Sequence, residues 1–74
     1  SKVKLMPNPT KGLLQIDNMP NGCDCIEVCD MFGRCVLRTE VVTTTIDVKI
    51  LEDGVYFLNL CQDGNRLSFK FIKN

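Results

Sequence analysis

The chain contains no histidine and no tryptophan. Without histidine it lacks the commonest general base and the commonest metal ligand, so a nucleophile would need a lysine or carboxylate partner. It also lacks net charge: nine basic residues balance nine acidic ones. That leaves no electrostatic footprint for nucleic acid or for an anionic membrane surface. No apolar run approaches the length of a helical membrane span. No leader-like segment is present, and the chain starts at Ser1 without an initiator methionine, so it reads as a piece of a longer protein. No stretch carries helical periodicity, and there is no internal repeat or linker.

What is present fits one small domain. Seventy-four residues at 45% hydrophobic content are ordinary for a folded chain but give a thin core. Five cysteines are many for this length. They point to an oxidising compartment, and the odd count leaves at least one thiol free or paired between chains.

The organising stretch is residues 54–73. Gly54-Val55-Tyr56-Phe57-Leu58-Asn59-Leu60-Cys61 is rich in aromatic and branched residues, as a strand should be. Asp63-Gly64 signals a tight hairpin turn, and Arg66-Leu67-Ser68-Phe69-Lys70-Phe71-Ile72-Lys73 alternates. A two-residue turn sets Leu60 against Leu67, Leu58 against Phe69 and Tyr56 against Phe71. The other face pairs Cys61 with Arg66, Asn59 with Ser68, Phe57 with Lys70 and Val55 with Ile72. A one-residue slip would destroy the apolar face, so the register is well specified.

Upstream, residues 2–6 read as a strand, and Pro7-Asn8-Pro9-Thr10-Lys11-Gly12 as a rigid corner. Leu13-Leu14-Gln15-Ile16 is a second strand, followed by turn residues through Gly22. Residues 23–30 form a third strand, with Ile26 and Val28 on one face and Cys23, Cys25, Glu27 and Cys29 on the other. A three-residue loop with Gly33 left-handed then pairs Asp30 with Arg34, Cys29 with Cys35 and Val28 with Val36. Residues 34–39 are the fourth strand. The β-branched run 40–48 holds another. Leu51 plugs the core in the connection to Gly54. About seven short strands separated by turns predict an all-β fold, an immunoglobulin-like antiparallel β-sandwich.

The chemistry weighs against catalysis. The carboxylates are spread over turns and strand ends as solvated groups. Cys23, Cys25, Cys29 and Cys35 alternate along extended chain and do not form the paired knuckles of a zinc site, so no metal and no cofactor are expected. For Cys29 and Cys35 two readings stay open: a cross-strand disulfide bracketing the Gly33 loop, or two small apolar residues on a sheet face.

The motifs together resemble a known family. The Pro7, Asn8, Pro9 and Gly12 segment is similar to its Pro-Asn-Pro opening. Asp30, Gly33 and Arg34, with Val36, resemble its central Asp-x-x-Gly-basic-x-Val segment. Gly54 and Tyr56 resemble its Gly-hydrophobic-Tyr strand, and Lys70-Phe71-Ile72-Lys73 its closing motif. The family is the C-terminal sorting domain of type IX secretion cargo, found at the end of gingipain-like surface proteins. The resemblance implies a β-sandwich that is a secretion signal and not an enzyme. It implies passage of an attached cargo through the periplasm to the outer-membrane translocon. Removal by a surface sortase-like protease and attachment of the cargo to lipopolysaccharide would follow, leaving the cargo at the cell surface or secreted. The implied recognition residues are Gly54, Tyr56, Lys70, Phe71, Ile72, Lys73 and Asn74. The five cysteines are not part of the family pattern, and they leave open a homodimer through a free thiol or a strand edge. No small-molecule substrate is implied. The alternative is an adhesion or binding module of a surface protein, which rests on fold alone.

Overall fold

The computed structural model describes residues 2–74; Ser1 lies outside the described residues. Seven strands and no helix are found among them: β1 Lys4–Met6, β2 Leu13–Asp17, β3 Cys25–Asp30, β4 Cys35–Thr39, β5 Thr45–Asp47, β6 Gly54–Gln62 and β7 Asn65–Lys73. They form two antiparallel sheets, ordered β1-β2-β5 and β4-β3-β6-β7. This is the expected sandwich.

The β6–β7 hairpin has the register read from its alternation, including Leu60 with Leu67, Leu58 with Phe69 and Tyr56 with Phe71. Asp63 and Gly64 at its tip both have positive φ, 51° and 78°, as a turn matched to the strand twist requires. The core lies between the sheets. Leu14 and Ile16 of β2 and the adjoining Val48 meet Ile26 and Val28 of β3, Tyr56, Leu58 and Leu60 of β6 and Phe71 of β7. Leu51 packs at its margin, as expected.

Three details differ from the sequence reading. The β3–β4 register keeps Cys29 opposite Cys35 but sets Val28 against Leu37, with an irregularity between Val28 and Cys29. Val36 is therefore an extra residue, and its side chain is partly exposed instead of facing Val28. Next, β5 takes up only three residues of the run 40–48, Thr45–Asp47, paired with Gln15, Leu14 and Leu13 of β2. Third, Cys23 precedes β3, whose pairing with β6 begins at Cys25 and Cys61.

Candidate functional site

The family-like motifs do structural work at two places. The first is the β3–β4 loop. The Asp30 carboxylate accepts the Phe32 amide at 2.9 Å, the Arg34 amide at 3.0 Å and the Arg34 Nε at 2.7 Å. One side chain thus organises the whole loop. Burial alone would push the Asp30 carboxyl up; the hydrogen bonds from Arg34 and Phe32 outweigh it and hold it below the usual range. Gly33 has φ 81° and its amide donates to the Asp30 carbonyl at 3.0 Å. The left-handed residue sits where the hairpin needs it.

The second place is the edge of β7. The Asn8 side chain accepts the Ile72 amide at 2.9 Å and donates to the Lys70 carbonyl at 3.2 Å. Beyond it the Thr10 amide donates to the Ile72 carbonyl at 2.8 Å, and the Asn74 amide to the Thr10 carbonyl at 2.9 Å. Thr10 is fully buried; its hydroxyl donates to the Leu13 carbonyl at 2.6 Å and accepts the Gly12 amide at 3.2 Å. Gly12 is held where an added Cβ would lie 2.5 Å from Lys49 Cγ. The Pro-Asn-Pro corner is therefore a cap on the last strand. The spacing of its prolines suggested rigidity but gave no sign of its partner, which lies more than sixty residues away.

The sequence reading leaves Lys70, Ile72 and Lys73 on or beside the outer face of an exposed edge strand, with Phe69 and Phe71 in the core; the structure differs in two respects. Alternation puts Phe69, Phe71 and Lys73 on one face. Lys73 is buried, with Nζ 3.5 Å from an Asp53 carboxylate oxygen, and does not lie beside the outer face. The C-terminal half of the β7 edge is also not open, since Asn8 and Thr10 occupy it. Among the expected recognition residues, Lys70, Ile72 and Asn74 are accessible. Phe71 is fully buried and stacks on Tyr56 with ring centroids 5.7 Å apart. The Tyr56 hydroxyl donates to the Glu52 carbonyl at 2.7 Å. Gly54, at φ 158°, is nearly extended and pairs with Lys73.

The cysteines are corrected too. The disulfide joins Cys25 of β3 to Cys61 of β6, while Cys23, Cys29 and Cys35 are free thiols. The register brings Cys29 and Cys35 opposite each other without a bond between their sulfurs, so the reading as two unbridged residues on a sheet face is the one found. Cys35 donates to the Leu37 carbonyl at 3.2 Å, and Cys29 accepts Asn59 Nδ2 at 3.4 Å. Burial, with Cys35 and Glu27 nearby, pushes the Cys29 thiol up, which disfavours its thiolate. Cys25, Glu27 and Cys61 are close enough to suggest a metal group, but both sulfurs are consumed by the disulfide.

On the same outer face, buried Glu27 accepts Arg66 Nε at 2.8 Å and Arg38 Nη1 at 2.5 Å. The Arg66 hydrogen bond chiefly lowers its pKa; burial opposes this, and the Arg66 and Arg38 charges add to it. Ser68 donates to Asn59 at 2.6 Å beside this group. These are ties between strands of the four-stranded sheet.

Comparison with known proteins agrees with this architecture. A solved structure is similar over 99% of this chain, with TM-score 0.73 and 23% identity. It is PorZ of Porphyromonas gingivalis, described as an essential bacterial surface component of the type-IX secretion system. This chain spans 11% of its length. At that identity the likeness shows the fold. No curated protein sequence matches. Residues 4–74 match the family described as the secretion system C-terminal sorting domain. The chain belongs to that family, the sorting domain of type IX secretion.

Proposed function

We propose that this domain is the C-terminal export address of a larger secreted protein, read by the type IX outer-membrane translocon. The observation that carries the reading is the family match, which runs through β7 to Asn74. The geometry supports a division of labour within the final segment. Tyr56, Phe71, Gly54 and Lys73 hold the strand, while Lys70, Ile72 and Asn74 present it. The Pro7–Gly12 corner keeps the edge in one conformation, so the exposed side chains are displayed in fixed positions. After passage through the periplasm, a surface sortase-like protease removes the domain and the cargo is joined to lipopolysaccharide. The domain itself acts as an address and not as an enzyme.

The test is to fuse the domain to the end of a periplasmic reporter, in strains with and without a working type IX translocon. Reporter at the surface only in the competent strain supports the reading. Reporter that stays periplasmic in both strains overturns it.

A further inference from the structure

We propose that the end of the sandwich bearing Phe32 and Ile50 docks an extended, apolar polypeptide segment with basic flanks, added as a strand to the edge of β4. Phe32, Ile50 and Met31 are 84%, 80% and 68% exposed. They line one cleft of 470 Å3 with Val36, Leu51 and Val55. Isolated exposed apolar residues are unremarkable, but a cluster of this kind marks an interaction surface.

The cluster is held in place by its surroundings. The Asp30 bonds fix the Phe32 backbone, and the Arg34 guanidinium lies 5.3 Å from the Phe32 ring centroid. Ile50 rides on a turn closed by the Leu51 amide donating to the Val48 carbonyl at 3.0 Å and by the Lys49 amide donating to Asp47 at 2.9 Å. Val48 and Leu51 face inward, and Ile50 projects outward.

Two further observations choose the occupant. The sheet order leaves β4 at an edge. Among the described residues no strand pairs with its outer side, whereas the C-terminal half of the β7 edge is capped by the chain. A strand added at β4 gains backbone hydrogen bonds and passes Val36 into the cleft. Of the carboxylates that line the cleft, Asp30 is paired with Arg34 and Asp53 with Lys73, which leaves Glu52 beside the apolar residues with no ion pair of its own among the described residues. That carboxylate favours a segment with lysine or arginine beside its apolar residues and disfavours a second copy, which would bring a second Glu52 against it. The proposal does not depend on the export reading, because its test is binding in solution.

The probe is a short capped peptide of alternating valine and threonine with lysine at both ends, titrated into the intact domain while amide NMR shifts are followed. A second peptide carries glutamate in place of lysine. The expected result is shifts at Val36, Leu37 and Ile50 with the lysine peptide, and weaker binding of the glutamate peptide. The double variant Phe32→Ser, Ile50→Ser should bind about tenfold more weakly or worse. Leu67→Ser, at the opposite end of the hairpin, should bind as the parent does. Shifts confined to the β7 edge between Arg66 and Lys70 would overturn the proposal. So would the absence of shifts, or a dimer through Phe32 and Ile50 in sedimentation of the domain alone.

Discussion

The side-chain amide of Asn8 pairs with the backbone of Ile72 as a neighbouring strand would, accepting its N–H at 2.9 Å. With the second bond to the Lys70 carbonyl it closes part of an edge that would otherwise be open to other chains. Asn8→Ala removes both bonds. Because they are solvent-accessible, the expected cost is about 1 kcal/mol. The more specific outcome is faster amide exchange at Ile72, with the β6-facing amides of β7 less affected. Unchanged exchange at Ile72 would show that the cap is dispensable.

Gly33 offers a test of backbone strain without steric confusion. Its φ is 81° and an added Cβ would meet nothing within 4 Å. Gly33→Val should cost at least about 1–2 kcal/mol in denaturant unfolding, from backbone strain alone. Gly33→Asn should cost less, since asparagine tolerates this conformation. Equal stability of all three proteins would refute the account of the loop.

The disulfide prediction is chemical. Mass spectrometry of the non-reduced domain should find Cys25 linked to Cys61, with Cys23, Cys29 and Cys35 open to alkylation after unfolding. The bonded pair is 36 residues apart, and its loss in Cys25→Ser, Cys61→Ser should cost about 2–4 kcal/mol. A dominant Cys29–Cys35 linkage would contradict the structure.

The hairpin was legible because Asp63-Gly64 and strict alternation fix its register locally. The cysteine pairing was not, because Cys25 meets Cys61 only once β3 lies beside β6, a neighbour relation that no local pattern encodes. The bulge at Cys29 was hidden for a related reason: Val36 and Leu37 are both plausible partners for Val28 by hydrophobicity. Lys73 was misplaced because its charge suggested solvent, although the alternation that buries Phe69 and Phe71 already put it on their face. Thr10 showed no signal beyond its place in a proline-rich corner, yet it is buried and bonded on three sides. The closing motif marked the segment proposed to be recognised, but which of its side chains are accessible required the fold.

Acid should weaken the domain through Asp30 and Glu27. Both carboxyls are held below their ordinary values in the folded state. The unfolded chain therefore binds protons first as pH falls, and their stabilising contribution, full above the unfolded values near about 4, is lost as pH passes down through the folded ones. The melting temperature should drop in that range. Glu27→Gln, which keeps the shape but not the charge, should flatten the acid-side slope, and an unaltered slope would show that Glu27 is not a main contributor.

Surface display of a reporter carrying this domain at its C-terminus tests the central claim most directly, when compared among three forms in a strain with a working type IX translocon. Removing residues 71–74 takes away Phe71, a fully buried side chain worth about 3–5 kcal/mol, so that form alone confounds folding with recognition. Lys70→Ala with Ile72→Ser alters exposed side chains only and should melt close to the parent. The account predicts that the parent reaches the surface and that both altered forms accumulate in the periplasm, the double variant while still folded. Normal surface levels of the folded double variant and of the truncated form together would contradict it, and would place the export address outside the final strand.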